Sequence, residues 1–290
     1  HLLRHLLPLV KEIQRLVDIR VPDGTRGRTI RLQPAVTQPG DTVAIESPTY
    51  FGIFQVIESL GLKVVEIPTD PVIGIDLHYL EQAIKKFDIK ACLFVTNFNN
   101  PLGSCMPDEN KKALVDMVTK YRVPLIEDDI YGELYFGRQR PKTCKTYDTE
   151  GWVLQCASIS KSLAPGYRIG WAIPGRFTQQ VISMKMKHTI TGPTIRQTAM
   201  AHFLGNGRYE YHLKNLRKAL HTQYLRYVQG ILEFFPADTK LSRPQGGFVL
   251  WLELNKKIQG FKVYQEALKQ GISVAPGQIF SAREQYSNFL

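Results

Sequence analysis

From Asp41 onward, short apolar runs alternate with amphipathic ones. Thr42–Glu46, Lys63–Ile67, Ala91–Thr96 and Val123–Ile126 are rich in Val, Ile and Leu and are bounded by turn residues, which predicts buried strands. Between them, Phe51–Leu60, Leu77–Phe87 and Glu109–Tyr121 carry apolar residues at helical spacing. The last opens on Pro107-Asp108-Glu109, with Pro and acids in the first turn, as helix starts often do. Val153–Ala157 and Ile169–Ile173 add two more strand-like runs. Strand and helix alternating in this way predict an α/β fold of three layers, a mostly parallel sheet with helices on both faces. A second regime starts near residue 206. Arg208–Phe235 is long, basic and periodic, either one extended helix or two in series, and is followed by a strand over Phe248–Leu254, a helix over Phe261–Gln270 and a short strand over Ile272–Ala275. The organisation expected is an N-terminal segment with a helix over Leu2–Val17 (residues 1–38), a large domain (39–205) and a smaller α+β C-terminal domain (206–290).

Composition narrows the class. The 290 residues are 43% hydrophobic and 22% charged, ordinary for a soluble globular protein and incompatible with a disordered chain. No apolar run approaches the roughly 18 residues needed to span a bilayer, and no signal peptide opens the sequence, so no membrane partner is expected. Cys92, Cys105, Cys144 and Cys156 show neither CxxC spacing nor paired histidines nearby. A metal site or disulfide framework is therefore not expected, and the setting inferred is reducing and cytoplasmic. The formal net charge is +11, and most of it lies between Arg176 and Val228, where Glu210 is the single acid. A solvated helical face accounts for such a run, with a docking surface for nucleic acid or a DNA-bound domain as the alternative.

Unusual residues concentrate at the ends of predicted strands, where open α/β sheets gather ligands. Val95–Gly103 holds Asn99-Asn100-Pro101, in which Asn100 is kept extended by the following proline. Leu125–Gly132 is an apolar strand ending in Glu127-Asp128-Asp129, followed by Tyr131; carboxylates at the end of a buried strand imply either an exposed edge or a fixed cation. Ser158–Trp171 sets Ser158, Lys161 and Arg168 in a tight Pro-Gly loop between two strands. A lysine embedded there is desolvated, its pKa falls, and it becomes a nucleophile for carbonyls.

With Asn100, Asp128, Tyr131 and Lys161 in this order and spacing, and with Ser-x-Ser-Lys followed by Pro-Gly-x-Arg-x-Gly-Trp, the chain resembles the fold type I pyridoxal phosphate (PLP) enzymes, the aspartate aminotransferase superfamily, from about Pro39 to its end. The resemblance implies an aspartate aminotransferase-like fold and a role for each residue. Lys161 carries the cofactor's aldehyde and later shuttles a proton, and Asp128 keeps the pyridine nitrogen protonated. Asn100 and Tyr131 hydrogen-bond the phenolic oxygen, and Ser158 and Arg168 bind the phosphate. Tyr50, in Glu46-Ser47-Pro48-Thr49-Tyr50, matches the aromatic that stacks on the ring, with a core tyrosine as the alternative. Asp129 is expected to turn away from the ring by strand alternation. Two family features have no counterpart here. Nothing between Ile19 and Gln38 supplies a glycine-bearing phosphate loop, which suggests that residues are omitted there, as in a cofactor-free form with that loop disordered. The arginine for the substrate carboxylate should follow Tyr286–Leu290, where the chain stops.

Within the superfamily, the phrasing of Asn99–Gly103, Glu127–Leu134 and Ser162–Arg168 resembles the MocR-type members of the GntR regulators, in which a winged helix-turn-helix is fused to an aminotransferase-like domain. That resemblance implies an effector-sensing, dimerising domain that binds an amino acid or its PLP adduct as a homodimer. DNA would be reached only through a winged-helix domain not present in this chain; the opening at His1 suggests a fragment. A free-standing aminotransferase, moving an amino group between an amino acid and a 2-oxo acid, is the first alternative, with a transaminase half-reaction as its minimal chemistry. Another PLP reaction on the same fold is the second.

Overall fold

A computed structural model describes residues 34–290 apart from 189–191, 193 and 284. The helix expected over Leu2–Val17 and the stretch from Ile19 to Gln33 lie outside the described residues. Seven strands form one sheet: β1 (Thr42–Ser47), β2 (Lys63–Asp70), β3 (Gly74–Ile75), β4 (Ile89–Phe94), β5 (Leu125–Asp128), β6 (Val153–Ser158) and β7 (Gly170–Ile173). Their order is β3-β2-β1-β4-β5-β6-β7. The inner pairings are parallel, while β2–β3 and β6–β7 are antiparallel. The helices among the described residues are α1 (Gly52–Ser59), α2 (Leu77–Phe87), α3 (Asp108–Tyr121), α4 (Thr178–His188), α5 (Thr194–Gly205), α6 (Arg208–Phe234) and α7 (Gly260–Lys269).

The middle of the sheet is largely apolar because both of its faces are covered. Ala44, Cys92, Phe94, Leu125 and Val153 pack with Leu80, Ala83 and Ile84 of α2 and with Leu114, Val115 and Val118 of α3. Their sequence neighbours Val43, Ile45, Ala91, Leu93, Ile126 and Leu154 point the other way and pack with Ile57 of α1 and Val181 of α4. Helix α2 starts where Asp76 accepts the Tyr79 backbone N–H at 2.9 Å, an N-cap that satisfies one of the orphan donors of the first turn. Cys92, Cys144 and Cys156 are buried, Cys105 is half-buried, and all are free thiols. No helix among the described residues is long and apolar enough to cross a membrane.

In the C-terminal part, the long helix forms as one of the two expected arrangements, and the short strands depart from expectation. Arg208–Phe234 is a single 27-residue helix, and α4 and α5 precede it in the basic stretch. Only Leu252–Glu253 (β9) of the expected strand Phe248–Leu254 forms a ladder, antiparallel to β8 (Lys240–Leu241). The residues just before Phe248 are held elsewhere: Phe136 N–H donates to Gln245 O at 2.8 Å and Gly247 N–H to Leu134 O at 2.9 Å. Ile272–Ala275 is not a strand; Ile272 N–H closes the end of α7 on Ala267 O at 3.0 Å instead of entering a ladder. Beyond it the chain returns to the sheet. Thr49 N–H donates to Phe280 O at 2.9 Å, and the buried Glu66 carboxylate accepts Ser281 Oγ at 2.7 Å and Ser47 Oγ at 2.9 Å.

Candidate functional site

From β1 the chain runs outward to β2 and then crosses back to β4, so the strand order reverses between β1 and β4. In open α/β sheets the crevice at the carboxyl ends beside such a reversal is where ligands bind. All the residues singled out in the sequence emerge along that edge. Tyr50 follows β1, Asn100 follows β4, Asp128 ends β5 with Tyr131 three residues on, and Ser158 ends β6. Lys161 and Arg168 lie in the connection from β6 to the antiparallel β7.

The contacts bring most of them together. Tyr131 is buried and hydrogen-bonded to the Asn100 side chain; burial pushes its phenol up to about 12, against the Asn100 bond and with the Asp128 and Tyr50 charges adding to the rise. It is therefore a neutral donor at physiological pH. Burial and then the Arg168 guanidinium hold the Lys161 amine below its ordinary value, while Asp128 pulls the other way. Lys161 thus shares its surroundings with both Arg168 and Asp128, which lie on different strand ends. Ser158 is buried, and its Oγ accepts Ser160 N–H at 3.3 Å, closing the turn into the lysine. Arg168 has φ of 57°, in the left-handed region, and donates from Nη1 to Pro165 O at 3.4 Å. Tyr50 packs on Phe51, ring centroids 4.7 Å apart.

The carboxylates that end β5 divide their work. Asp128, half-buried, is the one whose charge reaches Lys161, Glu46 and Tyr131. Glu127 is fully buried and accepts Thr96 Oγ1 at 2.6 Å, Cys144 N–H at 2.6 Å and Lys145 N–H at 3.1 Å. Asp129 turns away from Lys161, as alternation predicts, and pairs with Arg140 and Asn97. Neither an exposed edge nor a single fixed cation accounts for all three.

Two features were not picked out in the sequence. Glu46, the last but one residue of β1, is buried; its Oε1 accepts Val95 N–H at 2.8 Å and its Oε2 accepts Asn99 Nδ2 at 3.4 Å. Burial lifts its carboxyl to about 8, the hydrogen bonds from Val95 and Asn99 hold it back, and Asp128 adds to the rise. A charged residue inside an apolar strand was the available signal. Phe248 stands with its ring 5.6 Å from Lys161 Nζ and edge-on to Tyr131 at 5.5 Å. Gly246 fixes it there, since a Cβ at 246 would fall 2.6 Å from the Phe98 ring and 2.7 Å from Leu134 O. Its glycine pair was visible in the sequence, but the partner surface, Phe98 and Leu134, lies far upstream.

An amine with a depressed pKa, a facing carboxylate, a phenol–amide pair, an arginine with a neighbouring hydroxyl, and aromatic rings form a donor set for a planar, anionic molecule that carries a carbonyl. The sequence profile described as aminotransferase class I and II matches residues 11–289. The chain is 40% identical over 273 residues to an Escherichia coli protein named uncharacterized HTH-type transcriptional regulator YjiR, covering 94% of this chain and 58% of that protein. It is 26% identical to aromatic-amino-acid aminotransferase 1 of Thermococcus litoralis, covering 98% of this chain and 68% of that one. Among solved structures it resembles Pyrococcus horikoshii kynurenine aminotransferase in complex with PMP, with a TM-score of 0.85 and 27% identity over 98% of this chain and 72% of that chain.

Proposed function

Because the chain belongs to the class I and II aminotransferase family, we propose that it is the PLP-binding, effector-sensing and dimerising part of a GntR/MocR-type transcription regulator. Its fold is aspartate aminotransferase-like, and its cofactor is pyridoxal phosphate. The observation that carries the regulator reading is the 40% identity to HTH-type regulators, against 26% to the aromatic-amino-acid aminotransferase. The chain spans little more than half of those regulators, which leaves room in them for a DNA-binding part. Residues 39–205 act as the large, cofactor-binding domain and 206–290 as the small domain of a cytoplasmic homodimer.

When bound, PLP supplies an aldehyde that condenses with amines and a ring that withdraws electron density. Lys161, its amine held below its ordinary pKa by burial and then by Arg168, is the residue that attaches the cofactor and that moves a proton at the amino-acid Cα. Asp128 holds the ring nitrogen protonated. Tyr131 donates to the phenolic oxygen because its own proton is secure to about pH 12, and Asn100 fixes its direction. Ser158 and Arg168 take the phosphate through charge-assisted bonds, and Tyr50 stacks on the ring. Phe248 places its ring beside the Lys161 amine.

Borohydride reduction of the PLP-loaded protein and peptide mapping test the site: the pyridoxyl label should fall on Lys161, and a label on another lysine overturns the assignment. Footprinting of the full-length protein tests the function. Protection of a DNA segment that changes with PLP and an amino acid is expected. Multiple-turnover transamination without DNA binding would favour the free-standing aminotransferase, a reading supported by the kynurenine aminotransferase likeness.

A further inference from the structure

The loop that carries Asn100 leaves β4 at Phe94 and is buried from Thr96 to Asn99. Phe98 within it has φ of 55°, a region that costs a bulky residue energy and persists only where the surroundings over-determine it. Buried carboxylates do so here. Glu46 accepts Val95 N–H and Glu127 accepts Thr96 Oγ1, while Asp129 Oδ1 accepts Asn97 Nδ2 at 2.9 Å. The Glu127 and Asp129 contacts both join two parts of the site, and that of Asp129 lies nearer Tyr131 and Asn100 along the chain. Asp129 stands one residue after Asp128 and two before Tyr131; Asn97 stands three before Asn100. One bond therefore couples the loops that bring Asn100 and Tyr131 into contact.

The rest of the cluster stiffens that bond. Arg140 Nη2 donates to Asp129 Oδ2, and its Nε donates to Glu133 Oε1 at 2.7 Å. Lys111, with a fully buried side chain, donates to Asn97 Oδ1 at 2.8 Å. From β6, Gln155 Nε2 reaches Asp129 Oδ2 at 3.3 Å. Gly132 is required beside it, because a Cβ at that position would strike the Asp129 carboxylate and come 2.8 Å from Arg140 Nη2. Burial works against both charges; the Asp129 and Glu133 carboxylates outweigh it for Arg140, whose guanidinium stays charged.

We propose that the Asn97–Asp129–Arg140 network is a positioning device that sets the geometry of the Asn100–Tyr131 pair and thereby its hold on the cofactor's phenolic oxygen. This rests on the PLP reading. None of the three residues needs to touch the ligand. A buried ion pair adds little net stability compared with apolar packing, so conformational precision is the use that fits its position between the two loops.

Bonds from Asn100 and Tyr131 to the phenolic oxygen favour negative charge there, so the Lys161-linked chromophore loses its proton at lower pH when they are well aligned. Titration of the visible band with pH therefore reports their geometry. Arg140→Leu should raise the pH midpoint by about one unit, a tenfold change in proton affinity, and weaken PLP binding several-fold. Arg140→Lys should recover part of both effects. If Arg140→Leu fails to melt cooperatively, Asp129→Asn carries the same measurement, since it keeps an acceptor for Asn97 and removes the charge that holds Arg140. A midpoint and PLP affinity unchanged in every folded variant overturn the proposal. Failure of the PLP reading looks different: the unmodified protein then gives no visible band with PLP, or keeps it in Lys161→Ala.

Discussion

On the Asn100–Tyr131 side of the site, the loops are held by buried carboxyl groups; on the Lys161 side, they are held by hydrogen bonds to a distant helix. Glu46, Glu127 and Asp129 each take a donor from the segment between Val95 and Asn97. Lys161 sits in a strand connection closed by Ser160 N–H on Ser158 Oγ and by Leu163 N–H on Ile159 O at 2.8 Å. Its neighbour Ser162 bonds Tyr209 OH at 2.7 Å, and Ser162 O is 2.9 Å from His212 Nε2, so the lysine loop is positioned by α6. Each of these buried carboxyl groups is costly to leave unpaired, whereas a hydroxyl–hydroxyl bond such as Ser162–Tyr209 contributes modestly. The cofactor-recognising side is thus fixed within the sheet, and the reactive amine is referenced to α6, which leads into the C-terminal part.

The largest effect should come from removing the reactive group. Lys161→Ala should abolish the covalent attachment of PLP, read as the loss of the borohydride-fixed label, while leaving the melting temperature of the cofactor-free protein within a few degrees. The amine is only half-buried and makes its aromatic contact with Phe248 alone, so its truncation opens no core cavity. A label that persists would move the site elsewhere.

Next in size is a pH effect that belongs to the fixed side alone. The folded protein keeps Glu46 protonated up to about pH 8, whereas an unfolded carboxyl ionises near its ordinary 4.5. Between those values the native state holds a proton that the unfolded state releases, so stability falls as pH rises, by about 1.4 kcal/mol per pH unit at the steepest. Glu46→Gln cannot ionise and should lose this slope. Urea unfolding at pH 5, 6.5 and 8 should show the variant gaining on the parent as pH rises. Parallel curves would mean that Glu46 is charged in the native state.

How far the sequence discloses these features depends on the range of the interactions. Strands β1, β2 and β6 start where their apolar runs start and extend one to three residues beyond them, and β7 lies within its run, because burial on both faces gives a strong hydrophobic signal. β4 and β5 are offset by two residues, Ile89–Phe94 against Ala91–Thr96 and Leu125–Asp128 against Val123–Ile126, since an apolar run does not mark where the ladder begins. Asn100, Asp128, Tyr131, Ser158, Lys161 and Arg168 stand out as polar residues at apolar-strand ends, and the structure gathers them along one edge. The supporting partners do not stand out. Arg140 reaches Asp129 from a loop, Tyr209 reaches Ser162 from 47 residues away, and Gly246 fixes Phe248 against a segment before residue 140. Ile272–Ala275 reads as a strand by composition alone; no neighbouring strand among the described residues completes it.

Asp128→Ala probes the carboxylate that faces the Lys161 side. Truncating one partner of a hydrogen-bonded charge pair costs about 2 kcal/mol or more, some thirtyfold in the Kd for PLP. Because Asp128 supports the charged form of Lys161, its loss should also depress the amine further, in the same direction as burial and Arg168. Equilibrium titration with PLP checks the first effect. The second is read from the pH dependence of Lys161 modification by an amine-selective reagent, whose midpoint should move down; an upward shift would place Asp128 away from the amine.

The smallest effect should come from the link between Lys161's loop and α6. Ser162 is fully buried, and burial lifts the Tyr209 phenol to about 12, against the bond to Ser162, so the pair is neutral across the physiological range. Tyr209→Phe leaves the serine hydroxyl short of a partner and should cost about 1 kcal/mol, some 2–4 °C in Tm for a chain of this size. Removing both partners, Tyr209→Phe with Ser162→Ala, should cost less than the sum of the single changes, because no buried group is then left unsatisfied. PLP affinity should fall by no more than about threefold, consistent with a bond worth about 1 kcal/mol or less. Additive single and double variants would mean that the lysine loop is held by its own strand connection, and the contrast between the two sides of the site would then rest on the carboxylates alone.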